Sequence, residues 1–273
     1  MLNGSIIPLT PKRVALALGA YIVTPPEGIS EAAMSDFRKA LCHESYTRKD
    51  EAQRLRINKE CREGCVPVGE HSYERLEYLG DSILCSVVSA YLFRRYPRED
   101  EGFMTHMRTH LVNGKMLARL CQRGTCLVPH IAVSSELEAR HAESGVAAIG
   151  KKQPRYLSYK ILEDVFEAFI GATFVHFGFS AAQEWVVGCL EKNVDFADLT
   201  ARKDTPRAVL NRYCQTSYGF HPELQTLKEG VVRLMNPLTG QVVATGHGDT
   251  HKTAVSDAVS NALEYYNVSL YVT

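Results

Sequence analysis

The chain has no excess of charge of either sign. Its 31 Lys and Arg stand against 31 Asp and Glu, for a formal net charge of zero. A strongly basic chain would point to a nucleic-acid partner by charge alone; here any such partner has to be argued from local features. No uninterrupted apolar run approaches the roughly 18–20 residues that cross a bilayer, so no membrane partner is expected. The N-terminus, MLNGSIIPLTPKRVALALGAY, puts its basic pair after its first apolar residues, the wrong order for a secretory signal. It has no acid before Glu27, which keeps an organelle-targeting arm open. Internal repeats and low-complexity segments are absent. The eight cysteines form no disulfide framework. Cys85 and Cys189 fall in apolar helical contexts and read as small buried residues. Reduced thiols suit an intracellular, cytoplasmic protein. Cys61 and Cys65 with His71, and Cys121 and Cys126 with His130, have the spacing of zinc half-sites but no second half. His106 and His110 share a helix face without a carboxylate partner.

What is present is a soluble-protein composition, 45% apolar and 23% charged over 273 residues, enough for one large core and a small one. Thr10-Pro11 opens a helix that Pro25 and Pro26 end. Helical periodicity predicts a helix over residues 30–46, with Ala33, Phe37, Ala40 and Leu41 on one face. Residues 48–70 read as a solvated helix and a loop. A long buried helix is predicted over 72–96, stopped at Pro97, and one or two more over 100–122, broken near Asn113-Gly114. Residues 132–155 read as a long insertion or mobile loop. A second long buried helix is predicted over 156–177, another over 180–193, and a linker over 195–204. The pattern then changes to a helix (205–217), three short strands (223–229, 231–235, 241–245) and a closing helix (250–266), with Asn236 to Gly240 as a hairpin loop. The chain therefore divides into an N-terminal extension (1–29), a helical domain (30–194) and an α-β-β-β-α module (204–270).

The stretch YERLEYLGDSIL places Glu74, Glu77 and Asp81 on one face of a helix that is otherwise mostly apolar. Gly80 lies inside it at a cost of about 1 kcal/mol relative to alanine, which the close approach of another backbone explains. The second buried helix, YKILEDVFEAFIGATF, offers Asp164 and Glu167 on one face, with Lys160 one turn earlier. Unpaired buried carboxylates are costly, and one lysine cannot neutralise four. Two helices that present four carboxylates to each other suit a hard divalent cation, Mg²⁺ foremost. Such a site suits phosphoryl chemistry or a structural role. A carboxylate-bundle oxidoreductase would need a Glu-x-x-His, which neither Asp164 nor Glu167 begins.

These residues resemble the ribonuclease III family. Glu74 to Leu84 is similar to its signature ERLEFLGDSVL, and Glu163 to Ala172 to its second acidic motif. ALCHESY at 40–46 resembles the first-helix motif ALTHRSY, and RTHLVNGKMLA at 108–118 resembles the Arg-x-x-Leu-Val segment. The resemblance runs over residues 37–178, with insertions near 48–70 and 132–155. It implies a mainly α fold, an all-helical endonuclease domain that pairs as a homodimer. The signature helix would then lie near the two-fold axis, where Gly80 permits close approach. It implies Glu77, Asp81, Asp164 and Glu167 as metal ligands for Mg²⁺, with Mn²⁺ as a substitute, and Glu167 as the most sensitive. Lys160 matches a lysine of Dicer-type members, and Glu74 matches an accessory acid near the substrate. The implied reaction is hydrolysis of double-stranded RNA to 5′-phosphate and 3′-hydroxyl ends with short 3′ overhangs; the alternative is a non-catalytic relative that binds or sequesters duplex RNA.

The C-terminal module resembles a double-stranded-RNA-binding domain, in which Asn211, His251 and Lys252 match RNA-contacting positions. It departs from the pattern in three ways. The loop between its first two strands is missing at Glu229-Gly230, Val255 stands where lysine is common, and Arg212 replaces a common glutamate. Over 204–273, Arg207, Arg212, Lys228, Arg233 and Lys252 face Asp204, Glu223, Glu229, Asp249, Asp257 and Glu264, five charges against six. Weak autonomous RNA binding follows.

Overall fold

A computed structural model describes residues 6–22, 28–59, 67–150, 154–201 and 206–268. The chain folds as two compact units, Met1–Leu199 and Thr200–Thr273.

The first unit is helical. Helix α1 (Pro11–Gly19) is capped by the Thr10 hydroxyl and starts on proline, which lacks the N–H that a first turn leaves unpaired. It buries Val14, Ala17 and Leu18 in the main core, and Ala17 O accepts from Trp185 Nε1 at 3.0 Å. Where one helix was expected over 30–46 there are two, α2 (Glu31–Ala40) and α3 (Glu44–Thr47). The break has a local cause. The Cys42 backbone leaves the helix to bridge Ala132 and to accept from Tyr73 N, and the His43 ring caps α3 through Ser45 N. Helix α4 (Glu51–Lys59) buries nothing, as its charge predicts.

Helix α5 (Glu74–Arg95) carries the first carboxylates, followed by α6 (Glu101–Leu111) and α7 (Gly114–Arg119), which Asn113 caps at the expected break. The stretch read as a long insertion or mobile loop, 132–155, contains a helix, α8 (Ser135–Glu143), which the mobile-loop alternative did not foresee. It is fastened by Arg155, 2% exposed, which donates to Glu138 Oε1 at 2.7 Å and to the Ile131 carbonyl at 2.9 Å. Lys151 and Lys152 lie outside the described residues. Helix α9 (Tyr159–Asn193) is capped by Ser158 and interrupted only at Gly178, whose φ of 80° divides it at the boundary predicted between two helices. Phe166 and Phe169 of α9 each meet Trp185 at 5.0 Å, and Phe37 of α2 meets Phe169 at 4.9 Å. The expected linker begins with a further helix, α10 (Phe196–Ala201), whose Phe196 and Leu199 are buried in the same core.

By length and mean hydropathy, α5 and α9 could each cross a bilayer. Here they pack on each other, and α9 is the central helix of the core. Their crossing is unusually close. A Cβ on Gly80 would overlap the Glu167 carbonyl oxygen, and one on Gly171 would overlap that of Leu76. The backbone that Gly80 admits is thus α9 of its own chain.

The second unit has helix α11 (Pro206–Tyr218), strands β1 (Glu223–Lys228), β2 (Val231–Met235) and β3 (Val242–His247), and helix α12 (His251–Tyr265). The sheet is antiparallel in the order β1-β2-β3. Leu210, Cys214, Val232, Leu234, Ala258 and Leu263 are among the residues of a separate core. Glu229 and Gly230, the latter at φ 73°, join β1 to β2 in a tight turn, so the short connection read from the sequence is realised.

Candidate metal centre

Glu77 on α5 and Asp164 and Glu167 on α9 converge, with one carboxylate oxygen from each lying within 4.8 Å of the others. The helix periodicity puts each pair on one face, and the Gly80–Gly171 crossing brings the faces together. Asp164 and Glu167 are each 6% exposed. Asp81 stands outside this group. It is exposed on α5, accepts from Cys85 Sγ at 3.6 Å, and lines the same cleft. The cleft has a volume of about 360 Å³ and is also lined by Glu74, Tyr78, Lys160 and Glu163. Glu74 is exposed at its mouth and accepts from Ser72 at 2.9 Å.

The electrostatics follow from this crowding. Burial pushes the Glu167 carboxyl up to about 8, and the charges of Asp81 and Glu163 add to the effect. Burial and the Asp164 charge raise Glu77, against the opposing pull of Lys160. Lys160 Nζ lies 2.6 Å from Asp164 Oδ1 and 3.5 Å from Glu77 Oε1. Its hydrogen bond to Asp164 holds the ammonium above its ordinary value. Tyr73, buried just before α5, donates to Asp164 Oδ2 at 3.0 Å and fixes that carboxylate.

Two participants were not picked out as site residues from the sequence. Tyr73 reads as part of an apolar flank, and its partner is 91 residues away. Glu163 has a local signal, an acid three residues after Lys160, but it was read only as part of a motif. Its carboxylate packs against Gly114 at the start of α7, where any Cβ would strike it.

The donor set fits a hard divalent ion. The group consists of carboxylate oxygens, and Lys160 is the only cation among the described residues that line the cleft. Burial, with the charges of Asp81 and Glu163 adding to it, holds the Glu167 proton to about 8, and a divalent ion would offset both costs. Among the described residues, no thiol or imidazole joins the group. Cys121 is wholly buried, its thiol pushed up to about 12 by burial, and His130 Nδ1 is bonded to the Ile7 carbonyl at 2.7 Å. Cys61 and Cys65 lie outside the described residues. His106 and His110 do share a face, with ring centroids 4.5 Å apart. In the second unit, His251 opens α12 and contacts Thr226 Oγ1 of β1 at 3.3 Å, Lys252 is exposed, and Asn211 is half-buried on α11.

Comparison with known proteins places this geometry in context. A family profile described as "Ribonuclease III domain" matches residues 74–178, a span that holds all five of Glu77, Asp81, Lys160, Asp164 and Glu167. Ribonuclease 3 of Wolinella succinogenes is 31% identical over 205 residues, which cover 72% of this chain and 79% of its own. A protein of Paramecium bursaria Chlorella virus 1 is 30% identical over 207 residues, 73% of this chain and 69% of its own. Among solved structures, the ribonuclease III nuclease domain from Campylobacter jejuni matches at 25% identity and a TM-score of 0.47, covering 67% of this chain and 96% of that one.

Proposed function

The chain belongs to the ribonuclease III family, whose members are double-stranded-RNA endoribonucleases that generally use divalent metal, and from that premise we propose that it cleaves duplex RNA by Mg²⁺-dependent hydrolysis. The products are 5′-phosphate and 3′-hydroxyl ends with short 3′ overhangs, and Mn²⁺ substitutes for Mg²⁺. The observation that carries this reading is the convergence of Glu77, Asp164 and Glu167 from two tightly crossed buried helices.

Glu77, Asp164 and Glu167 would hold the metal, with Asp81 contributing from the cleft wall. When bound, a divalent ion supplies Lewis acidity toward the phosphate and lowers the pKa of a coordinated water. The protein's own groups do the rest. Tyr73 fixes the Asp164 carboxylate, so one donor is set before substrate arrives. The Lys160 side chain, more than half exposed at the cleft, would oppose negative charge that develops on a phosphate bound there. Glu74 at the mouth faces the RNA backbone and its 2′-hydroxyls, which an A-form duplex presents by shape rather than sequence. Two copies form the working unit, each cutting one strand. Tyr78 (81% exposed) and Phe93 (69%) on α5 leave apolar surface for that pairing.

Incubating the full chain with a long RNA duplex and Mg²⁺, then reading product length and end chemistry, tests the proposal. Short duplexes with 5′-phosphates, abolished by chelation, are expected. Intact RNA in both Mg²⁺ and Mn²⁺ would overturn it in favour of a duplex-binding, non-catalytic role.

A further inference from the structure

The Lys160 ammonium sits where two of the three converging carboxylates would hold a cation. It lies 2.6 Å from Asp164 Oδ1 and 3.5 Å from Glu77 Oε1. An ammonium and a divalent ion served by the same oxygens exclude each other, since they compete for the same lone pairs and repel. Two features make the lysine removable. Its side chain is 65% exposed, against 8% for that of Asp164, and ends a flexible four-carbon stem. A second anionic seat also lies within reach, Glu163 Oε2 at 4.0 Å, from a carboxylate outside the converging group. Glu163 is held in place. Its side chain is only 24% exposed and rests against Gly114.

We propose that Lys160 is a displaceable counter-ion: it pairs with Asp164 and Glu77 in the metal-free protein, yields to a divalent ion, and is then held by Glu163 at the rim of the cleft. This rests on the metal-binding reading of the carboxylates and adds to it a coupling between metal uptake and lysine position. The ammonium is delivered to the substrate side only once the metal is in place. Glu163 is a positioning residue that acts through Lys160.

Calorimetric titration of the full-length protein with Mg²⁺ alone, without RNA, tests this on the native protein, Lys160→Met, Lys160→Arg, Glu163→Gln and the Lys160→Met/Glu163→Gln double variant. Lys160→Met should bind Mg²⁺ about tenfold more tightly, the scale of one charge-assisted hydrogen bond that no longer has to be broken. Lys160→Arg, which keeps the charge, should bind no more tightly than native. Glu163→Gln should weaken binding in the native background and much less in the Lys160→Met background. Unchanged or weaker binding by Lys160→Met overturns the displacement and leaves the metal site standing. An equal effect of Glu163→Gln in both backgrounds overturns the part given to Glu163. No Mg²⁺ uptake by native protein and Lys160→Met alike overturns both this inference and the reading beneath it.

Discussion

Glu167 is the residue on which the chemistry and the stability of the site meet. Glu167→Gln removes a buried donor while keeping shape and one hydrogen-bonding oxygen. Cleavage should fall by more than the 10- to 100-fold typical of losing a metal's outer-shell partner, about 100-fold at least, while duplex binding in a gel-shift assay persists. Full activity of this variant in Mg²⁺ would contradict the assignment. The pH dependence has a definite sign. An unfolded glutamate loses its proton near about 4.3, whereas folded Glu167 keeps it to about 8. The native state therefore binds the extra proton in between. The stabilisation is full below about 4.3 and is lost as pH rises through about 8. In chelator, the Tm of the native protein should fall more steeply between pH 5 and 8 than that of Glu167→Gln, which imitates the protonated form. Millimolar Mg²⁺ at pH 8 should raise the native Tm by more than that of the variant, because metal takes the place of the proton. Parallel Tm curves in scanning fluorimetry would exclude this.

At the scale of elements, the α5–α9 crossing sets the site's geometry. Each of its two glycines faces the other helix's backbone, which cannot move aside as a side chain can. Gly80→Ala or Gly171→Ala should cost about 3 kcal/mol or more, the upper end for overpacking, and lower Tm by several degrees at least. Cleavage should fall even at temperatures where the variant is folded, since the carboxylate faces separate. This crossing was half legible in the sequence. The glycine's misfit inside a helix announced a close backbone, but the resemblance suggested a second copy where the answer is α9. Acidic residues at i, i+3 and i+7 in apolar helices were legible because their signal is local. The break at Cys42, the anchoring of α8 and the burial of α10 were not, because each is decided by distant partners: Ala132 for Cys42, Glu138 for Arg155, the main core for Phe196. Arg155→Met should destabilise the protein by roughly 3–5 kcal/mol, since it strands Glu138 in the interior. Chemical denaturation measures it, and a loss under 1 kcal/mol would show that α8 is not pinned by this pair.

At the scale of the molecule, a chain of zero net charge has to attract a polyanion. The second unit is not expected to supply the attraction. It has its own core and the expected topology, but five cationic side chains face six acidic ones over 204–273, and its tight β1–β2 turn removes a loop that could reach a phosphate. Phosphate contacts provide most non-specific affinity for nucleic acid, and each adds to the salt dependence. Residues 200–273, which with Arg202 and Lys203 hold seven basic against six acidic side chains, should when expressed alone still bind duplex RNA far more weakly than nanomolar at moderate salt, with a shallow dependence on monovalent salt, and are better suited to docking or self-association. The first unit is left to provide the attraction, and its cleft is acidic until cations fill it. Duplex binding by Glu167→Gln and by native protein should accordingly be weak in chelator and should strengthen with millimolar divalent ion, native more than variant. Fluorescence anisotropy of a labelled duplex, titrated with full-length protein in chelator and then in Ca²⁺ to avoid cleavage, measures this. Tight binding in chelator, matched by isolated 200–273, would move the attraction to the second unit and leave the carboxylates a role in cleavage alone.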